Sequence, residues 1–407
     1  MSSLISPLVE DGEHEGKKTS FPATVFHGLN ALSGVGILSV PYALASGGWL
    51  SLTLLLAIAI VAFYTGLLLM RCMDAEADIK TYPDIGELAF GKKGRILVSV
   101  VMYAELYLVA IGFLILEGDN LHNLFPQFGV RVGDFHFGGR QCFVVIVALI
   151  VLPSVWLDNL SLLSYISASG VLASAVILLS ISWAAAFDGI GFQQKGETLR
   201  INGVPTATSL FAFCYCAHPV FPTLYTSMKN KRQFSKVLLI CFAVSTVSYA
   251  LMAIIGYLMF GEDVKSQVTL NLPTRLWSSR FAIYTTFINP IAKYALMVTP
   301  IINAARHNFP AICSKRQGKR IVGTGLVASN VVLAISIPLF GDLMSLVGAF
   351  LSTTASIIIP SLCYLRISGK YARMDAEGVL IVCVILLGVG VAVFGTYTSV
   401  VDILRHL

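Results

Sequence analysis

The chain has 407 residues, of which 56% are hydrophobic and only 12% charged, with a mean hydropathy of +0.79 and a net charge of +6. Soluble domains carry about 25% charged residues, so a water-soluble globular fold is excluded. The charges cluster between long apolar runs, which marks an all-α polytopic membrane protein; a transmembrane β-barrel would instead show alternating stretches of roughly 10 residues.

Residues 1–20 are polar and mixed in charge (Glu10, Asp11, Glu13, Glu15, Lys17, Lys18) and are expected to form a cytosolic tail. They hold no basic stretch followed by a short apolar core, so no cleavable signal peptide is expected and the first span serves as its own insertion signal. Windows of about 19 residues then give eleven spans, near 21–46, 49–71, 95–117, 141–157, 161–187, 206–228, 234–260, 280–306, 320–339, 342–365 and 377–401, with a non-cytosolic tail at 402–407. The links Ser46–Gly48 and Phe340-Gly341 are short enough to make hairpins of the spans they join. With the N-terminus in the cytosol, nineteen lysines and arginines fall on the cytosolic side and eight on the other. That asymmetry is the positive-inside pattern. It accounts for the net charge without a nucleic-acid partner.

The first span contains Asn30-Ala-Leu-Ser-Gly-Val-Gly-Ile-Leu-Ser-Val-Pro-Tyr42. Ser33, Gly34 and Gly36 fall at mid-span and Pro41 follows, a combination that breaks a helix. Broken backbone inside lipid is tolerated only where it is buried in protein or lines a polar cavity. A second break is expected in the sixth span, Phe211-Ala-Phe-Cys-Tyr-Cys-Ala-His-Pro-Val-Phe-Pro222, where Pro219 and Pro222 flank His218. Two breaks five spans apart fit two inverted five-helix repeats, 21–187 and 206–365, with 377–401 as an extra helix. Free N–H groups at such breaks suit a carboxylate and free C=O groups an ammonium or a cation, so a small zwitterion matches both. Taken singly, each break also has a packing explanation, since Gly and Pro are common in membrane helices.

Ionisable residues inside spans are costly and usually functional. Glu105, in Tyr103-Ala-Glu-Leu-Tyr107 of the third span, and Lys293, in Asn289-Pro-Ile-Ala-Lys-Tyr294 of the eighth, are the strongest, either as a mutual pair or acting separately. Glu105, His218 and Lys293 are the candidates for proton coupling. The candidates for substrate contact are Ser33, Gly34, Val35, Gly36, Ile37, Tyr103, Tyr107, Tyr215, Cys216, Ala217 and His218. Asp158, Asp342 and Glu117 stand at span ends, where solvation is expected to explain them. Tyr82–Phe90 reads as a short amphipathic helix with Pro83 in its first turn and Gly91 ending it. The segment 118–140 reads as a mobile Gly-rich loop, and Asn159-Leu-Ser161 as a glycosylation acceptor left unused on the cytosolic side. Of the eight cysteines only Cys142 falls at a non-cytosolic end, so no intrachain disulfide is expected, and Cys214-Tyr-Cys216 reads as buried thiol rather than a zinc site. The sequence holds no G-x-x-x-x-G-K-[ST], H-E-x-x-H or G-x-S-x-G motif, which argues against an ATP-driven pump and the common hydrolases. A transporter, a channel or a receptor-like sensor remains, with no cofactor, no metal and no obligate protein partner.

Several segments together resemble the amino acid/auxin permease family, and within it the plant branch of vacuolar amino acid transporters. They are Gly34-Val-Gly-Ile-Leu-Ser-Val-Pro-Tyr-Ala43, Phe63-Tyr-Thr-Gly-Leu-Leu-Leu69, Lys80-Thr-Tyr-Pro-Asp-Ile-Gly86, Leu116-Glu-Gly-Asp-Asn-Leu121, Leu163-Ser-Tyr-Ile-Ser167, Val220-Phe-Pro-Thr-Leu-Tyr-Thr-Ser-Met228, Thr269-Leu-Asn-Leu-Pro273 and Asn289-Pro-Ile-Ala-Lys-Tyr-Ala295. The resemblance runs from about residue 21 to 401. It implies eleven transmembrane helices in a 5+5 inverted-repeat bundle of the LeuT/APC type plus one extra helix, proton-linked movement of neutral amino acids, and the vacuolar membrane. It also implies that the backbone of Ser33 to Ile37 holds the α-carboxylate and α-amino groups, with the sixth span completing the pocket. Many relatives have Gly-His at the second break; here the pair is Ala217-His218. Gly36 and Ile37 offer no polar side chain for sodium, and Lys293 stands where a sodium-coupled relative would hold its ion, so protons are favoured. The expected partners are therefore an amino acid, protons and the lipid bilayer. The rival reading is a membrane-embedded amino-acid sensor that binds without transport.

Overall fold

The computed structural model of the chain describes residues 18–76, 78–132, 135–156, 163–308, 316–337, 339–370 and 375–406. Residues 1–17, Asp158, the Asn159-Leu-Ser161 acceptor, Cys313 and Leu407 lie outside the described residues.

The first predicted span is two helices, α1 (Phe21–Leu32) and α2 (Val40–Gly47). Next come α3 (Ser51–Ala75), α4 (Tyr82–Leu124), α5 (Gly139–Trp156) and α6 (Leu163–Ala186). The sixth predicted span is again split, into α7 (Val204–Cys214) and α8 (Phe221–Ser227). It is followed by α9 (Phe234–Phe260), α10 (Trp277–Asn308), α11 (Arg316–Ser336), α12 (Phe340–Ile367) and α13 (Ala376–His406). Seven helices among the described residues are long and apolar enough to cross a membrane: α3, α4, α5, α9, α11, α12 and α13. The protein is thus a mostly helical, multi-pass membrane protein. The split spans are not among the seven because neither half is long enough. α10 carries Thr285, Thr286, Asn289 and Lys293 along its length, which dilutes its apolar character.

One local expectation holds and three need correction. The short helix expected at Tyr82–Phe90 stops at Gly91, whose φ of 65° and ψ of −157° are non-helical and which a side chain would rarely adopt; the helix of the third span follows at once, and the two together are α4. Thr81 caps it, with the Asp84 carboxylate accepting from the Thr81 N–H at 2.8 Å, and Arg95 bridges back across the bend to Asp84 (3.1 Å) and Glu87. The segment 118–140 is not a loop throughout. α4 runs on to Leu124, and Gly129–Val132 pairs with Phe135–Gly138 as an antiparallel hairpin. Phe340 and Gly341 belong to the first turn of α12; the link to α11 lies before them, after Ser336. Glu117 and Asp342 are not solvated, at 1% and 8% exposure, because the packed end of α4 and the start of α12 reach deeper than a hydropathy window suggests.

Two backbone joints tie the broken spans together at their far ends. At the end rich in lysine and arginine, the Thr19 N–H donates to the Ser227 carbonyl (2.8 Å) and the Lys229 N–H to Thr19 (3.0 Å), so the start of α1 and the end of α8 are held as one. At the opposite end the Arg200 N–H donates to the Gly47 carbonyl (3.0 Å), and the Trp49 and Leu50 N–H groups to Glu197 (3.0 Å) and Thr198 (2.9 Å). The segment leading into α7 is thereby fixed to the end of α2.

At the basic end Arg71 of α3 pairs with Glu377 of α13, and Lys370 pairs with Glu377 and with Asp375 (3.0 Å). Asp375 also accepts from the Gly378 N–H (2.8 Å) at the start of α13. That N–H, with the Lys370 ammonium adding to it, holds the Asp375 carboxyl below its ordinary value. A folded value below the unfolded one makes the contribution complete above about pH 4. It is lost as pH falls through the folded value. Asp375→Ala is expected to lower the melting temperature of detergent-solubilised protein at neutral pH, and the gap to wild type to close in strong acid. A gap that stays constant on acidification would show that Asp375 acts by something other than its charge.

Candidate functional site

α1 stops at Leu32. Ser33 leaves the helical region (φ −73°, ψ 74°), Gly34 is extended (φ −98°, ψ −168°), and Val35–Leu38 make a short 3-10 turn before α2 resumes with Pro41 in its first turn. The second break follows the same plan: α7 stops at Cys214, Tyr215–Ala217 turn, His218–Val220 make a 3-10 turn, and α8 begins with Pro222 in its first turn. Proline is tolerated there because first-turn N–H groups have no helical acceptor.

The two breaks lie against each other. A Cβ on Gly36 would sit 2.7 Å from the Cys214 sulfur and 3.4 Å from its Cα, so only glycine allows this approach. Tyr249 of α9 joins them: its hydroxyl donates to the Leu32 carbonyl and also lies 3.2 Å from the Cys214 carbonyl. One phenol thus caps the last residues of α1 and α7. Lys293 of α10 comes to the first break from another side, donating to the carbonyls of Asn30 (2.9 Å) and Ser33 (2.7 Å) at 6% exposure. Its ammonium sits at the carbonyl end of α1, where the helix dipole favours a cation. Ser33 also donates its hydroxyl to Ser174 of α6 (2.6 Å).

Glu105 of α4 faces the second break. Its carboxylate accepts from Ser352 of α12 (2.5 Å) and from the Cys216 thiol, and it is 6% exposed. Ser352 closes a π-helical turn, Val347–Ser352, and a second one follows at Thr354–Ile358. Such turns recur at functional sites because they leave backbone and side-chain groups out of register. Glu105 and Lys293 therefore do not form a pair; each has its own partners at a different break.

The remaining expected residues divide. His218 is fully buried, with Nε2 3.0 Å from both the Ala62 carbonyl and the Thr65 hydroxyl of α3. A carbonyl only accepts, so Nε2 bears the proton; Nδ1 has no partner among the described residues. Tyr215 donates to Thr246 of α9 (2.9 Å) and stacks on Phe242. Val35, Gly36, Ile37 and Ala217 are buried in the contact between the breaks. Tyr107 donates to Ser329 of α11 (2.9 Å), so it faces away from the breaks. Two residues along a helix from Glu105 is about 200° of rotation, which puts Tyr103 and Tyr107 on the opposite side of α4. Tyr249, Ser174, Ser352 and the π-helical turns were not anticipated. A hydroxyl-rich run, Ser352-Thr-Thr-Ala-Ser356, was the available signal for the last of these.

Two cavities open at the end opposite the basic one. One of about 710 Å³ is lined by Tyr42, Ser46, Arg200, Thr206, Glu262 and Asp402, and one of about 670 Å³ by Tyr42, Asp119, His122, Lys265, Phe340 and Asp342. Tyr42, on α2 just past the first break, is common to both.

The structure is thus that of a multi-pass membrane protein whose two interrupted helices meet beside buried cationic and acidic side chains. The family model described as transmembrane amino acid transporter protein matches residues 17–401, and the chain belongs to that family. It is 58% identical over 398 residues to amino acid transporter AVT1J of Arabidopsis thaliana, covering 97% of this chain and 94% of that protein. It is 56% identical over 387 residues to AVT1I of the same plant (95% and 96% covered) and 43% identical over 392 residues to AVT1B (96% and 72% covered). These relatives are named transporters, and the chain is not an enzyme.

Gly36→Ala is expected to force the breaks apart and abolish uptake, since overpacking costs about 1–3 kcal/mol. Adding Cys214→Ala removes the 2.7 Å sulfur contact, leaving ordinary contacts of 3.4 Å and 3.5 Å, and is expected to recover part of the melting temperature and uptake. Absence of recovery in the double variant would place the fault elsewhere than at this contact.

Proposed function

We propose that the protein is a secondary active transporter that moves neutral amino acids across an endomembrane, the vacuolar membrane, in exchange for or together with protons by alternating access. The observation that carries the reading is the junction of the two breaks, with Lys293 at one and Glu105 at the other. The architecture proposed with it is eleven spans. α1/α2 and α7/α8 open two inverted five-span repeats (21–187 and 206–365), α13 is the extra helix, and the N-terminus is in the cytosol. The duplicated stop, 3-10 turn and proline restart support the repeat, and the lysine and arginine asymmetry supports the orientation.

In this reading the substrate contacts are the backbone of Ser33 to Ile37 and the turn Tyr215–His218, as the zwitterion's two charges require. Lys293 supplies a fixed positive charge at the carbonyls of Asn30 and Ser33, where a bound metal cation would otherwise be needed. That supports protons rather than sodium as the coupling ion. Glu105 is the favoured proton carrier, because the Nε2 proton of His218 is committed to a carbonyl of α3. As a carboxylate Glu105 draws Ser352 and Cys216 together; with a proton it gives up part of that grip, so proton binding loosens the joint between α4, the second break and α12. Neutral substrates are supported by the shortage of further charged groups at the breaks.

The test is purified protein in liposomes, a panel of labelled amino acids, a pH gradient of either sign, and sodium varied. Uptake of neutral amino acids that follows the pH gradient and ignores sodium is expected; binding without flux would favour the sensor. Glu105→Gln is expected to retain exchange of substrate at equal pH and to lose pH-driven uptake. Undiminished pH-driven uptake would remove Glu105 from the coupling step.

A further inference from the structure

Glu117 lies on α4, twelve positions beyond Glu105 and hence about 18 Å farther along the helix. It is 1% exposed, and neither of its carboxyl oxygens has a hydrogen-bond partner among the described residues. One helical turn on, Asn120 is fully buried. Its amide nitrogen is committed to the carbonyl of Leu116 (3.0 Å) and the side-chain oxygen of Gln267 (3.1 Å), which fixes the amide orientation and leaves its own oxygen without a donor. Residues three apart share a helix face. Two neighbours therefore present three buried acceptor oxygens and no donor, an arrangement that costs free energy for each unmet group. A proton on Glu117 turns the carboxyl into a donor and removes an isolated charge from a dry site.

Charged and titratable groups surround this end of α4 without reaching Glu117. On α4 itself Asp119 pairs with Arg140 of α5 and accepts from Gln267 (3.0 Å), and His122 lines the smaller cavity. The segment between α9 and α10 brings Lys265, which donates to the Leu270 carbonyl (3.4 Å). α10 brings Arg280, donating to the Thr274 carbonyl (2.5 Å), and α12 brings Asp342. α11 carries no charged residue beyond Arg320, at its other end. Asp119, His122 and Asn123 line the 670 Å³ cavity from the other side of α4, so Glu117 itself faces packed protein.

We infer that Glu117 is a second proton-binding station, placed in series with Glu105 on one helix. The inference rests on the proton-coupled reading above. A hydronium ion gives its proton to a Glu117 oxygen, one O–H bond of the hydronium breaking as the carboxyl O–H forms and water being left; release is the reverse transfer to water.

The full-length protein is reconstituted with a pH-sensitive dye in the liposome lumen, the membrane potential clamped, and the amino acid giving the largest wild-type signal in the panel. Glu117→Gln is expected to keep substrate exchange at equal pH and to lose substrate-driven proton flux to the level of protein-free liposomes, with Glu117→Asp restoring it at a shifted pH midpoint. Proton flux in Glu117→Gln equal to wild type overturns the inference, as does loss of a sodium dependence instead of proton flux. If Glu117→Gln does not fold, a Glu117→Asp pH profile identical to wild type overturns it and a displaced one supports it. Wild-type protein that moves substrate without protons defeats the coupling reading itself, a result distinct from failure at Glu117 alone.

Discussion

Every structural feature near the centre of this protein answers one constraint: a backbone carbonyl that loses its helical partner inside a membrane must be given another donor. The last turns of α1 and α7 each release such carbonyls. Water is scarce there and an unmet group costs several kcal/mol in hydrocarbon. The chain meets the demand with side chains from helices that are themselves unbroken. Lys293 takes Asn30 and Ser33, and Tyr249 takes Leu32 and lies against Cys214. Both donors are long, and both approach from helices that pack on the breaks. The breaks are therefore held open by the scaffold, and a ligand need not be present to stabilise them.

The same geometry groups the four half-helices into two pairs. α1 and α8 are hydrogen-bonded through Thr19, Ser227 and Lys229 at one end; α2 and the approach to α7 through Gly47 and Arg200 at the other. Each pair is a unit with its own backbone joint, and the units meet only at the two breaks. The contact there is small and tight, Gly36 on Cys214. In the proposed alternating-access cycle, these non-helical residues, flanked by two internally bonded pairs, are where one unit rocks against the other.

How much of this was legible in the sequence follows from which signals are local. Gly34, Gly36, Pro41, Pro219 and Pro222 act on their own backbone, so both breaks were found within a residue or two. Glu105 and Lys293 stood out because a charge in an apolar run has no bland local explanation. Their partners did not stand out. Tyr249 looks like any aromatic in an apolar helix, and its meaning comes only from a contact 217 residues distant. The π-helical turns in α12, Val347–Ser352 and Thr354–Ile358, left only the weak trace of the hydroxyl run Ser352-Thr-Thr-Ala-Ser356, since hydroxyl residues also occur in unbroken membrane helices. Glu117 was misread for the opposite reason: hydropathy windows end where charges begin, so a carboxyl at the edge of a window is assigned to water. Here α4 runs two turns further and the neighbouring segments cover it.

The proposal that protons rather than sodium are the coupling ion rests on Lys293. A monovalent metal ion at the end of α1 would be held by the same carbonyls, Asn30 and Ser33, that the ammonium now occupies at 2.9 Å and 2.7 Å. An ammonium on a covalent tether cannot leave with a solute. In the proposed cycle the exchanged proton is therefore placed elsewhere, on a buried group that both gains and loses charge. The two carboxyls most deeply enclosed in α4 are Glu105, facing the second break, and Glu117, twelve positions farther along the same helix.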